Sequence, residues 1–176
     1  MLREIIDGNR FSFQAGYDSW EDAIRAACDP LVAQGVIEPE YPGYIIANVH
    51  EFGPYIVIAP DICIPHAQEG RGVNETAVAF MNTEKPVDFG PSADFQPRLF
   101  FVLASTDNDK HLENLSELVT LLDSEDVVEA FVKARSKEDL QSILEGSYHA
   151  NTLAKAHNAL NYYFGLKEGV IDIILS

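Results

Sequence analysis

Three histidines stand where an imidazole can do chemistry. His66 follows Pro65 at the exit of a dense apolar run, Ile62-Cys63-Ile64. The proline fixes its own φ and keeps Ile64 extended, so the imidazole emerges at the rim of a rigid element. Histidine is the side chain that exchanges a proton, or accepts a phosphoryl group, near neutral pH. His111 falls in the first turn of a helix that follows the strand-like run 98–104, where unsatisfied backbone N–H groups favour an anion. His50 lies near the end of another helical pattern, where a protonated imidazole is favoured by the dipole. A strand rim facing a helix N-terminus can accommodate a phosphohistidine and its charge. On residue pattern alone, His66 stands open between this role and a structural one.

Competing chemistries have less support. A metal site built from His50, His66 and His111 would be served by HxH, HxxxH or HExxH spacing, and none of these pairs occurs. There is no GxxxxGK[ST] loop for direct nucleotide use and no GxSxG elbow. No metal and no cofactor is expected, and a metal-dependent hydrolase is the third choice of function. Cys63, three residues before His66, invites a Cys–His reading, but residues three apart on a strand point to opposite faces. We read Cys63 and Cys28, the two cysteines, as buried fillers. His149 and His157 fall in a C-terminal appendage and read as surface or packing residues.

The elements that must carry these residues are legible as patterns. Phe11 to Ala15 alternates like a strand. Ser19 with Asp22 caps a helix carrying Trp20, Ala23, Ile24, Ala27 and Leu31, which Gly35 stops. A second helix starts near Pro42, carries Ile45, Ile46 and Val49, and ends between His50 and Gly53. Tyr55 to Ala59 and Ile62 to Ile64 read as strands broken by Pro60-Asp61. Thr76 to Met81 and Arg98 to Ala104 are further strands, with a loop from Asn82 to Pro97 between them. The capping cluster Ser105 to Asp109 opens a helix whose buried face is expected to hold Leu112, Leu115, Leu118, Val119 and Leu122. Short helices follow the caps Ser124 and Ser136. Strands interleaved with helices imply a layered α/β domain, and the short link after Ile58 implies a mixed sheet. After residue 147 comes an appendage, 148–176: a helix carrying Leu153, Ala156, Leu160, Tyr163 and Phe164, then the apolar tail Val170 to Leu175. That tail must be covered, by its own domain or by a homodimer contact.

Composition bounds the partners. The chain has 176 residues, 47% of them hydrophobic, enough for one sizeable core. Its net charge of −16 disfavours nucleic acid and an anionic membrane surface. No apolar run approaches the roughly 20 residues that span a bilayer. Acids in the first seven residues do not fit a secretory signal. A cytoplasmic protein is expected.

Taken together, Gly53-Pro54-Tyr55-Ile56-Val57-Ile58-Ala59-Pro60, Ile64-Pro65-His66-Ala67 and Gly72-Val73 resemble the active-site signature of phosphotransferase system enzyme IIA domains. The likeness is to the fructose/mannitol type, in its ascorbate-like branch. It continues at Pro86-Val87-Asp88-Phe89 and at Asp109-Lys110-His111-Leu112-Glu113-Asn114-Leu115, covering residues 1–147. The resemblance implies a three-layer α/β/α sandwich on a mixed sheet. It implies that His66 accepts a phosphoryl group from phospho-HPr and passes it to a cysteine of a separate enzyme IIB, which serves a IIC permease. It implies His111 as the helper that stabilises the phosphoryl oxygens. His50 falls where mannitol-type members carry an arginine, so it is a candidate for added positive charge. The alternative on the same fold is a regulator whose phosphorylation state controls a protein partner. The sequence departs from the family pattern at Gln68-Glu69-Gly70-Arg71, where a basic residue and Pro-Glu are usual, and at Asp61, where glycine is usual.

Overall fold

The computed structural model describes residues 1–68, 71–90 and 92–146. In chain order these form α1 (Leu2–Asp7), β1 (Phe11–Gln14), α2 (Trp20–Ala33), α3 (Tyr41–Phe52), β2 (Val57–Ala59) and β3 (Ile62–Cys63). There follow β4 (Ala77–Thr83), a single 3-10 turn (Ala93–Phe95), β5 (Leu99–Ala104), α4 (Asn108–Leu121) and α5 (Glu125–Lys133). Residues 137–146 form a last helix, α6. The appendage expected over 148–176 lies outside the described residues.

The strands form one sheet in the order β1-β4-β5-β3-β2. β1 runs parallel to β4, β4 antiparallel to β5, β5 parallel to β3, and β3 antiparallel to β2, so the sheet is mixed as expected. β4 and β5 are buried along their whole length, which is why they read as continuous apolar runs rather than as alternations. Their side chains still alternate between two cores. Ala77, Ala79, Met81, Phe100, Val102 and Ala104 pack beneath α2 and α3, with Ala23, Ile24, Ala27, Leu31 and Ile45. Val78, Phe80, Leu99, Phe101 and Leu103 face the other way, onto Leu2, Ile5, Leu118, Phe131, Leu140 and Ile143. Helices on both faces of one mixed sheet make the three-layer α/β/α sandwich.

Local signals account for most boundaries. The Ser19 side chain accepts from Asp22 N at 3.2 Å, and Asp107 accepts from Lys110 N at 2.9 Å, capping α2 and α4. Gly35 takes φ +71° just past the C-cap Gln34, a conformation in which a Cβ is strained. Pro42 sits in the first turn of α3, and Gly53, at φ +82°, ends it.

α1 is an element for which the sequence analysis made no assignment. Two expectations are corrected. β4 extends through Asn82 and Thr83, which were assigned to the loop. Asn82 is fully buried, yet its amide donates to the Phe131 and Val132 carbonyls at 2.6 and 2.9 Å and accepts from Arg135 at 2.8 Å. A strand position that looks too polar for the core therefore satisfies the C-terminal carbonyls of α5. On α4 the buried face is rotated. His111 and Leu118 are buried with Leu115 and Leu122 partly so, whereas Leu112 and Val119 are more than half exposed.

Candidate active site

β3 and β5 run parallel, and their carboxyl ends lie side by side, the usual place for a ligand in an open α/β sheet. Past Cys63 the chain stays stitched to its neighbours. Ile64 N–H donates to Ile56 O at 2.7 Å, and Leu103 N–H donates to Pro65 O at 3.0 Å. His66 thus leaves the sheet from a held backbone. On the adjoining strand, Ala104 leads through the Asp107 cap into α4, whose first turn presents His111. The two imidazoles meet with ring centroids 5.2 Å apart, tilted by 37°.

His66 Nδ1 lies 2.6 Å from the Ile64 carbonyl oxygen. A carbonyl only accepts, so Nδ1 carries a proton, and in the neutral imidazole the lone pair falls on Nε2. In that tautomer Nε2 is the basic atom of the ring. His111 is buried to 9% exposure, and its N–H closes the first turn of α4 onto Asp107 O at 3.1 Å. An imidazole placed there, beside a helix N-terminus, can donate to an oxyanion held next to Nε2. Asn48, Phe52, Tyr55, Ala67 and Gln68 complete the cleft around the pair. No lysine or arginine is among the described residues that line it; Arg71 instead stacks its guanidinium on the Tyr44 ring, 4.0 Å from the centroid. Among the described residues the cleft offers amide and hydroxyl groups, a helix end and a second imidazole to any anion held there.

The rim of the cleft is apolar and open. Phe52 is 69% exposed and Tyr55 is 39% exposed. Large exposed apolar groups are what a docking protein covers.

Residues 4–147 match the family described as phosphoenolpyruvate-dependent sugar phosphotransferase system, EIIA 2. The chain belongs to this family. It is a phosphotransferase component of the EIIA class, as its signature around His66 implied. Among curated proteins it resembles the ascorbate-specific PTS system EIIA component of Shigella dysenteriae serotype 1, with 29% identity over 82% of this chain and 95% of that one. Among solved structures it resembles a putative PTS IIA domain from Streptococcus pyogenes M1 GAS, with 32% identity, a TM-score of 0.73, and coverage of 84% of this chain and 96% of that one. It also resembles a structure described as the complex of enzyme IIAMTL and phosphorylated enzyme IIBMTL from Escherichia coli. There the identity is 26% and the TM-score 0.68, over 78% of this chain and 94% of that one.

Of the three histidines named from this EIIA sequence, the fold brings together His66 and His111 and leaves His50 apart. His50 lies on α3 two residues from Asn48 and two from Phe52, so it sits roughly 200° around the helix from each. Its ring stands 4.9 Å from Trp20, and its Nε2 is 3.4 Å from Glu21 Oε1, both on α2. The positive charge expected of it near His66 is not delivered there. Sequence reasoning did not single out Tyr41, Asn48 or Tyr55, of which Asn48 and Tyr55 line the cleft and Tyr41 hydrogen-bonds the Ala67 N–H. Tyr55 was visible only as a letter of the Gly53-Pro54-Tyr55 signature.

The cysteines are fillers, as read. Cys28 and Cys63 are fully buried in the core beneath α2 and α3, and burial pushes both thiols well above their ordinary range. Neither should react with iodoacetamide at pH 8 until the protein is unfolded, as mass spectrometry of native and urea-treated samples would show. The sign of the linked stability follows. A folded-state pKa raised above the unfolded value leaves stability whole below the unfolded thiol pKa, about 8.5. It declines as the pH rises beyond that value, because only the unfolded chain releases the protons. Urea unfolding from pH 7 to 10 should show this fall, and Cys28→Ala with Cys63→Ala should flatten it.

Proposed function

We propose that His66 is the phosphoryl acceptor of this EIIA protein and His111 its stabilising partner. In the first step the Nε2 lone pair attacks phosphorus of phospho-HPr in line, the N–P bond to the donor breaks, and its electron pair returns to the donor imidazole. In the second step the thiolate of a cysteine on a separate IIB protein attacks the same phosphorus, and the P–Nε2 bond breaks. Nothing is oxidised or reduced, so catalysis is positioning plus charge stabilisation. The observation that supports the assignment is the 2.6 Å contact of Nδ1 with the Ile64 carbonyl, which leaves the lone pair of the neutral ring on Nε2, beside a second imidazole.

The phosphoryl group is destined for carbohydrate uptake through a IIC permease. Ascorbate or a related acidic sugar is the substrate we favour, because the curated relative bears that specificity and the Gly53-Pro54-Tyr55 signature points to the same branch. A cytoplasmic location suits both partners. Among the described residues no helix is long and apolar enough to cross a membrane.

The test is a labelled-phosphate relay. With phosphoenolpyruvate, enzyme I and HPr, the protein should acquire one acid-labile phosphate, located at Nε2 of His66 by NMR. Addition of an ascorbate-type IIB should chase the label onto a cysteine. Label on another residue would overturn the acceptor assignment. Label on His66 that no IIB removes would move the protein to the regulatory reading.

A further inference from the structure

Both polar atoms of the peptide bond between His66 and Ala67 are held by tyrosine hydroxyls. Tyr41 Oη accepts the Ala67 N–H at 3.1 Å, and Tyr55 Oη donates to the His66 carbonyl at 2.8 Å. The two tyrosines bracket one helix: Tyr41 opens α3, and Tyr55 stands two residues past its C-cap, Gly53. Each hydroxyl is itself anchored. Tyr41 donates onward to the Leu103 carbonyl of β5 at 2.9 Å, and the Asn48 side chain of α3 hydrogen-bonds the Tyr55 hydroxyl.

We infer that Tyr41 and Tyr55 form a clamp on the 66–67 peptide plane and act as positioning residues for His66. A peptide unit is planar, so fixing its N–H and its C=O together fixes its rotation. That rotation sets ψ of His66 and φ of Ala67. With Nδ1 tied to Ile64 O, the plane then decides where Nε2 points. Tyr55 adds a lateral stop, its ring standing edge-on to the imidazole at 83° with centroids 5.4 Å apart, while His111 flanks the same imidazole at 5.2 Å. In-line attack on phosphorus is sensitive to such placement, and a misplacement near 1 Å lowers a rate by up to about 10²-fold. The clamp spans the molecule's layers: one tyrosine ties the peptide to the central strand β5, the other to the helix end. Its functional meaning rests on His66 being the acceptor; the geometry of the clamp does not.

The hydroxyls are removed singly by Tyr41→Phe and Tyr55→Phe, which keep the rings. Two readouts are taken. The first is the ¹⁵N spectrum of the His66 imidazole in the unphosphorylated protein, which reports the Nδ1–H tautomer and needs no phosphoryl donor. The second is the rate of phosphoryl uptake from phospho-HPr, resolved into kcat and KM. Each variant should lose the single Nδ1–H signature in favour of mixed forms, and kcat should fall about tenfold or more. KM should hold in Tyr41→Phe, because Tyr41 is buried and cannot touch the donor. The double variant should fall short of the product of the single effects, since both act on one peptide. Unchanged tautomer and unchanged kcat in both variants would overturn the clamp. Should Tyr41→Phe fail to fold, Tyr55→Phe, at a partly exposed site, reads the same peptide from its carbonyl side and decides alone. Tautomer shifts in the variants together with wild-type phosphate found away from His66 would sink the acceptor reading and leave the clamp standing.

Discussion

His66→Ala is expected to take up no phosphoryl label from phospho-HPr, whereas His111→Ala is expected to label at His66 about 10²- to 10³-fold more slowly. The first loss is complete because no other group replaces Nε2. Of the remaining nucleophiles near by, Cys63 is fully buried and its thiol is held protonated. The second loss is expected to be partial because the role proposed for His111 is on charge, not on the bond that forms. It faces His66 ring to ring and would donate to the equatorial oxygens in the transition state, and removing one such donor typically lowers a rate by that factor. Rapid-quench measurement of labelled phosphate separates the two, and a native circular dichroism spectrum in both variants excludes unfolding as the cause. His50→Ala, whose ring lies against Trp20, should label at the wild-type rate. A His50→Ala defect matching that of His111→Ala would mean that charge reaches the site by a route other than direct contact. Full-rate labelling of His111→Ala would remove the helper role.

Phe131→Ala carries the largest expected loss of stability, about 3–5 kcal/mol. Phe131 is fully buried where α5 meets the sheet, 5.4 Å from the ring of Phe80 and 5.4 Å, edge-on, from that of Phe101. Truncation would remove the ring's transfer free energy and leave a void among three aromatic positions. Against a total of about 5–15 kcal/mol, that is a large share. Urea denaturation followed by circular dichroism would measure it. Phe131→Leu, which keeps most of the volume, should lose markedly less. Phe131 lines no part of the His66 cleft, so folded Phe131→Ala should label at the wild-type rate. A loss below about 1 kcal/mol would show that the cavity collapses and that α5 is not docked through this ring.

How much of this was legible beforehand depends on where each signal lives in the chain. Local chemistry was readable: the Ser19 cap, the glycine stops at Gly35 and Gly53, the proline start at Pro42, and the turn at Pro60-Asp61 all appear where expected. His66 was readable for the same reason, since Pro65 and the apolar run before it act within a few residues. What failed was long-range. The Asn82 amide is paid for by carbonyls some 50 residues away, and nothing in its neighbourhood announces them. The α4 stripe was read one step round because Leu112 and Val119 repeat at seven residues like a core face, yet they look outward while His111 looks in. His50 was placed by counting along the chain, and a helix turns that count into an angle. The Tyr41 and Tyr55 hydroxyls were hidden because their partners are main-chain atoms, which no residue letter encodes.

The outer strands of the sheet carry a last consequence. β1 has four residues and β2 has three; β2 shifts register between Val57 and Ala59 and meets Pro60 at once. Ile58, in that edge strand, is 51% exposed, and such an apolar edge would ordinarily recruit another chain. Here the foothold is too short and too irregular for a second strand to add. These short, irregular edges thereby protect the described domain from aggregation along its own sheet.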